Sequence, residues 1–308
     1  MSTAPTTSTA TTASQKVKSA PFSISNVSQT DQWLKLLVYG APGAGKTTLS
    51  ASAADVDSMN GVFMINAERG EMVISDNKRI KNPNNVDLAG VTSFKQFIKT
   101  YEFLSSHCAL RDRYLNNGDE TAKLKMLEYE STLKGVKLEP SAEPTIYRTC
   151  IIDSITEIEA YLLNKLLNIS DNFDIGKIDL DEMPTAGFTE YKKNNNMMNR
   201  TVRAFRDLPM HLVVIASSVY EQDDQKRMFF QPALSGKLRG QIQAHFDIVG
   251  YLAAGASKEG AAPRRLYVQP VGKWDAKNRR SVYTEPFFEN PTMGSILKDV
   301  GLATRLKG

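Results

Sequence analysis

Cysteine is scarce. Cys108 and Cys150 are the only two in 308 residues, and neither sits in a CxxC pair. That excludes a disulfide framework and a Cys-based zinc site as organising principles. The three histidines, His107, His211 and His245, are scattered along the chain and lack metal-ligand spacing. Long apolar runs are missing as well. The purely apolar stretches reach about five residues, as at 212–216, where a membrane-crossing helix needs about 20. Nor is there a strong charge imbalance: 38 Lys and Arg stand against 34 Asp and Glu. A net charge of +4 does not demand a nucleic-acid partner, although it permits a local basic patch.

Acidic residues are absent from the first 30 positions, which hold 14 Ser or Thr and only Lys16 and Lys18 as charges. So little apolar surface cannot offset the entropy of ordering, and residues 1–25 read as a disordered tail. The tail has neither the apolar h-region of a secretory signal nor the arginines of a transit peptide. A reducing cytoplasm is the expected compartment. The remaining length, residues 26–308, suits one large α/β domain with an insertion.

The run 34–39 (LKLLVY) is β-like and ends in a glycine loop, so it reads as a buried strand. Residues 47–54 read as a helix and 61–65 as a second strand. A helix is expected over 93–104 from the spacing of Phe94, Phe97, Ile98, Tyr101 and Leu104. Further strands are expected at 149–152, 211–216, 246–252 and 265–271, with helices at 155–167 and 195–208. Strands alternating with helices predict a mostly parallel sheet covered on both faces. Between 105 and 147 the chain carries six Lys or Arg and seven Asp or Glu with few large apolar residues. This reads as an exposed helical insertion.

The strongest chemistry lies at Gly40, Ala41, Pro42, Gly43, Ala44, Gly45, Lys46 and Thr47, which fit GxxxxGK[ST] between a strand and a helix. Glycines let the backbone wrap around phosphates, and N–H groups at a helix start stabilise their charge. Lys46 is expected to reach the β- and γ-phosphates of ATP, and Thr47 to hold Mg²⁺. Thr48 belongs to the same phosphate-binding set. Such a loop needs a metal-orienting acid at another strand end. Asp153, closing the run TCIID, supplies it in a Walker B pattern. Ser154 stands where many P-loop ATPases carry a catalytic Glu, so the water-activating base must come from elsewhere. Glu68 follows the apolar strand VFMIN, 22 residues after Lys46, and strand ends in a parallel sheet line the ligand crevice. Glu68 is the expected general base. Ser217, at the expected end of the 211–216 strand, would sit near the γ-phosphate.

In this order, these segments resemble a RecA-type ATPase core. The stretches LLVYGAPGAGKTTL, FMINAERG, CIIDSITEIEAYLL, FRDLPMHLVVIAS, QPALSGKLRGQIQAHFDIVGYL and VGKWDAKNRR look most like the phage-encoded RecA-like ATP-binding proteins that act as single-strand annealing recombinases. The likeness runs over about residues 33–283; Asn66 stands where RecA-type proteins often have Asp. It implies a homo-oligomer, ring or filament, with ATP between neighbouring subunits, and single-stranded DNA as partner; a single-strand-binding protein is a further candidate partner. Residues 264–280 carry six Lys or Arg against Asp275 alone. By resemblance, Lys273, Lys277 or Arg279 would act in trans on the γ-phosphate.

DNA is expected at two loops. The first, 187–203, carries Phe188, Tyr191, Lys192, Lys193 and Arg200. The second, 222–239, carries Arg227, Phe229, Phe230, Lys237 and Arg239. Basic side chains pair with phosphates while aromatics stack on bases. Two other readings stay open on the residues alone: a P-loop motor or kinase of another class, and an ATP-gated scaffold with little turnover.

Overall fold

The computed structural model describes residues 33–68, 72–75, 78–169, 184–222, 226, 228–255, 263–270, 272–279 and 285–302. The chain divides into two units, 1–31 and 32–308, and every described residue belongs to the second. The tail expected at 1–25 and Arg227 lie outside the described residues.

The strands are β1 (Lys35–Gly40), β2 (Val62–Asn66), β3 (Val86–Gly90), β4 (Thr149–Asp153), β5 (His211–Gln222), β6 (Met228–Pro232), β7 (Ile248–Ala254), β8 (Arg264–Tyr267), β9 (Lys277–Asn278) and β10 (Phe287–Glu289). The helices are α1 (Lys46–Ala51), α2 (Met72–Ser75), α3 (Phe94–Asn117), α4 (Glu120–Lys134), α5 (Ile155–Leu166), α6 (Phe188–Arg206), α7 (Leu238–Gln243) and α8 (Met293–Asp299). The sheet order is β10-β8-β7-β1-β5-β4-β2-β3, with β6 pairing β5 and β9 pairing β7. From β7 to β3 neighbouring strands run parallel, and β8 and β10 add an antiparallel margin. The expected α/β sheet with helices on both faces is the fold observed.

The strands read as continuous apolar runs because both faces are buried. In β1, Leu37 and Tyr39 face one cluster with Phe97, Leu104, Ile158, Leu162, Val202 and Phe205 from α3, α5 and α6. Leu36 and Val38 face the other, with Leu49, Ile296 and Leu297 from α1 and α8. Each such side chain, when fully buried, contributes about 1.5–3 kcal/mol.

The 105–147 segment differs from the expectation of an exposed insertion. It begins inside α3, which runs unbroken from Phe94 to Asn117 and stops where Gly118 takes φ 63°. Only a residue without a Cβ adopts that left-handed turn at little cost. Asp119 then caps α4, its side chain accepting from Ala122 N–H at 3.1 Å. The hairpin is bound to the core from its inner side. His107 Nε2 accepts from Tyr147 N–H (3.2 Å), and Arg111 donates to the carbonyls of Tyr147 (3.2 Å) and Pro209 (2.8 Å). Its outer side leaves Leu115, Leu124, Tyr129 and Leu133 exposed. The charge composition marks that solvated face and conceals the buried one.

Candidate functional site

The sheet lines up the candidate residues along one edge. Gly40, closing β1, pairs in register with Ser217 of β5. Asp153, closing β4, pairs with Ile215 on one side and with Asn66 of β2 on the other. Glu68 follows two residues beyond Asn66. The strand order therefore gathers the loop, the acid and the expected base at the carboxyl ends of β1, β5, β4 and β2, where α/β folds bind ligands.

The phosphate loop leaves β1 and enters α1 through Gly45, whose φ is 94°. Lys46 folds back over the loop, and its Nζ donates to the carbonyls of Gly40 (3.0 Å) and Ala41 (3.1 Å). Burial lowers the Lys46 pKa, opposed by the charges of Glu68 and Asp153. Thr47 Oγ1 donates to Asp153 Oδ2 at 2.6 Å, bridging the two halves of the motif. Asp153 is 2% exposed, and its other oxygen, Oδ1, has no hydrogen-bond partner. Burial raises its pKa to about 6; the Thr47 hydrogen bond opposes the shift and Glu68 adds to it. A buried carboxylate with an unsatisfied oxygen beside a threonine hydroxyl fits a divalent cation, since oxygen ligands suit Mg²⁺. No cluster of three or more His, Cys, Asp or Glu capable of holding a metal occurs among the described residues. That is compatible with Mg²⁺ that takes one or two protein oxygens and completes its shell with phosphates and water.

Ser154, fully buried, hydrogen-bonds to Glu68 Oε1 through its hydroxyl. The residue that replaces the usual Glu thus holds the Glu supplied by β2. The Asp153–Ser154 peptide is cis. Ser217 does not end its strand, because β5 continues to Gln222 and pairs antiparallel with β6. Its N–H donates to Thr156 Oγ1 at 3.1 Å, tying β5 to the first turn of α5.

Lys277 and Arg279 of the late basic segment lie away from this chain's own loop. Asn278 of β9 pairs with Ile248, which is level with Leu36 at the start of β1, whereas the loop leaves β1 at Gly40. Lys277 Nζ donates to Gln243 O (2.6 Å) and Arg279 to Ala244 O (3.0 Å), capping the last carbonyls of α7. Lys273 is exposed beside Trp274.

The two segments expected as DNA loops are largely helix and strand among the described residues. Lys192, Lys193 and Arg200 stand on α6, exposed on its outer face. Phe229 and Phe230 belong to β6 rather than to a loop. Phe230 is half-buried and stacks between Tyr220 and Tyr251, at centroid distances of 4.7 and 5.0 Å. Arg239 turns back onto the β5–β6 hairpin, bonded to Gln231 Oε1 (3.0 Å) and paired with Glu221. The fold nonetheless brings parts of both segments together. Phe188, Tyr191, Lys192 and Asn195 of α6 face Ser235 and Lys237 across a groove of about 590 Å³. Phe188 is 83% exposed, although a large aromatic ring ordinarily gains by burial.

Sequence reading missed Glu159, which lies under this groove. Its buried carboxylate accepts from Asn194 Nδ2 (2.6 Å) and Ser235 N–H (3.1 Å), and bonds to the Ser235 hydroxyl. It joins α5, which follows Asp153, to both walls of the groove. An acid at a buried position of the amphipathic 155–167 pattern was the available signal.

A family model described as an AAA domain matches residues 32–280. No curated protein matches the chain. Among solved structures the chain is similar to the flagellar accessory protein FlaH from Methanocaldococcus jannaschii, at 10% identity and a TM-score of 0.34, over 82% of this chain and 83% of that one.

Proposed function

Since the chain belongs to this AAA-domain family, we propose that it is a RecA-like P-loop ATPase that couples ATP hydrolysis to binding and annealing of single-stranded DNA. The observation that carries the hydrolytic part is the Thr47–Asp153 hydrogen bond beside the Ser154–Glu68 contact. It brings the phosphate loop, the metal-orienting acid and a held carboxylate to one crevice.

In this reading, water attacks the γ-phosphorus of ATP, Glu68 takes the water's proton, and ADP leaves with its β-phosphate oxygen as leaving group. Ser154 positions Glu68 by fixing one carboxylate oxygen. Lys46 exchanges its bonds to Gly40 and Ala41 for phosphate oxygens and stays in a water-poor setting, where its charge acts more strongly. Thr47 and Asp153 would hold Mg²⁺, which supplies charge neutralisation at the phosphates. The loop N–H groups bind the phosphate chain and orient it.

The DNA part is supported by the groove. Phe188 and Tyr191 offer exposed rings on which bases can stack, and Lys192 and Lys237 bring charge from opposite walls. The likeness of the segments at 33–283 to annealing recombinases points the same way. Lys277 and Arg279, remote from their own loop, are the cations that a neighbouring subunit would receive in a homo-oligomer.

Hydrolysis and annealing measured together test the reading. The full chain, with Mg²⁺ and ATP, is expected to release phosphate and to accelerate pairing of complementary single strands. Lys46→Ala is expected to abolish nucleotide binding or turnover. Vigorous hydrolysis with no DNA affinity would point instead to a P-loop motor of another class, and DNA-independent nucleotide binding without turnover to a scaffold.

A further inference from the structure

Arg264 opens β8, where it pairs in register with Ala254 of β7. Its backbone is clamped by Asn290: the Arg264 N–H donates to Asn290 Oδ1 (3.1 Å), and its carbonyl accepts from Asn290 N–H (2.6 Å). From this fixed base the side chain reaches the phosphate loop. A Cβ placed on Gly45 would stand 2.3 Å from Arg264 Nη1, 2.5 Å from Cζ and 2.9 Å from Nε. The guanidinium therefore fills the space that any side chain at position 45 would need. Gly43 provides the contrast: its φ of 75° is also left-handed, yet a Cβ there would meet nothing within 4 Å. Glycine is required at 45 for this approach as well as for the turn.

Arg79 and Arg264 bring like charge to this flank of the loop. Burial lowers the Arg264 pKa, and the charge of Arg79 adds to the effect, with no carboxylate among the described residues offsetting it. Like charges held together at a loop of anion-binding N–H groups are relieved by a polyanion, and the planar fork of an arginine suits phosphate oxygens.

We propose that Arg264 is a nucleotide-binding residue acting in cis: its guanidinium contacts the phosphate chain of the nucleotide held by the same chain's P-loop. The assignment rests on the nucleotide reading above and extends it to a strand on the far side of β7. It is separate from the cations of β9, which lie toward the opposite end of β7.

Equilibrium titration of the full chain with ADP and with adenosine, in Mg²⁺, tests it. Arg264→Ala is expected to weaken ADP binding by about tenfold to a hundredfold, the loss of one charged hydrogen-bonding partner. Adenosine affinity is expected to stay unchanged. Arg264→Lys keeps the charge but not the fork, so its ADP affinity falls between the two. Melting temperature without nucleotide reports folding of each variant, and the lysine variant carries the test if the alanine variant unfolds. ADP affinity equal to wild type in a folded Arg264→Ala variant overturns the proposal. Equal losses for ADP and adenosine also overturn it, since they would make Arg264 a base contact. A wild-type chain that binds no adenine nucleotide would remove the nucleotide reading itself, and this assignment with it.

Discussion

In the proposed function, Glu68 and Ser154 share one catalytic role between two positions. Many P-loop ATPases place their base directly after the Walker B acid; here a serine occupies that place and hydrogen-bonds to a glutamate from β2. Glu68→Gln is expected to keep nucleotide affinity while kcat drops by about 10²–10⁴-fold, the usual scale of general-base catalysis. Ser154→Ala is expected to lower kcat less, with KM unchanged, because it releases the carboxylate without removing it. Steady-state phosphate release checks both. A second residue-scale expectation concerns acid. His107 is 4% exposed, and burial, aided by Arg111, lowers its pKa to about 4. The folded state keeps His107 neutral while the unfolded chain takes up the proton below about 6.5. The unfolded state then binds more protons, so stability is full above about 6.5 and declines as pH falls toward 4, by about 3 kcal/mol in all. Urea melts across that range are expected to show the decline, and His107→Gln, which retains an acceptor for Tyr147 N–H, is expected to flatten it.

At the scale of elements, α3 has the largest consequence. Its Phe97 is fully buried and stacks on Phe205 of α6 at 5.0 Å, joining two helices over one face of the sheet. Phe97→Ala is expected to cost about 3–5 kcal/mol in denaturant melts. Ser93→Ala, which removes the cap accepting from Gln96 N–H, is expected to cost about 1 kcal/mol. The start of α3 was legible from its apolar spacing, whereas its end was not. Beyond Leu104 the buried positions are His107, Cys108, Leu110 and Arg111, and two of these bury polar groups by bonding to backbone. Polar residues satisfied in this way carry no hydrophobic periodicity. β3 and β6 escaped for a related reason: their residues are mostly half-buried or exposed, so neither shows the apolar run of an interior strand.

For the whole molecule, the groove between α6 and the β6–α7 connection tests the DNA reading. If Lys192 and Lys237 each neutralise a phosphate, the double alanine variant is expected to weaken single-strand binding at low salt. It should also reduce the slope of log K against log salt by about 1.4, near 0.7 for each contact. Binding measured at several salt concentrations checks this; an unchanged slope would take the groove out of the DNA path. Phe230, by contrast, is committed to an aromatic stack that continues through Tyr251 to Trp274 and Tyr267. Truncating it is expected to reach the sheet rather than DNA alone, so the groove lysines are the cleaner probe.

The primary structure alone determined the P-loop, the strand ending in Asp153 and the strand leading to Glu68. Each is a local pattern in which residue type and spacing dictate both backbone shape and chemistry. Which distant residues share a crevice is a different matter, settled by strand order. β5 lies between β1 and β4, and β2 lies beyond β4. That order sets Ser217 against Gly40 and brings Ser154 to Glu68, 86 positions apart in the chain. Only the tertiary structure carries Arg264 onto Gly45 and sends Lys277 and Arg279 the other way, although all three sit in one basic segment. A run of like charge has no direction until the strands holding it are paired. The antiparallel pairing of β8 and β9 with β7 at different registers is what separates them.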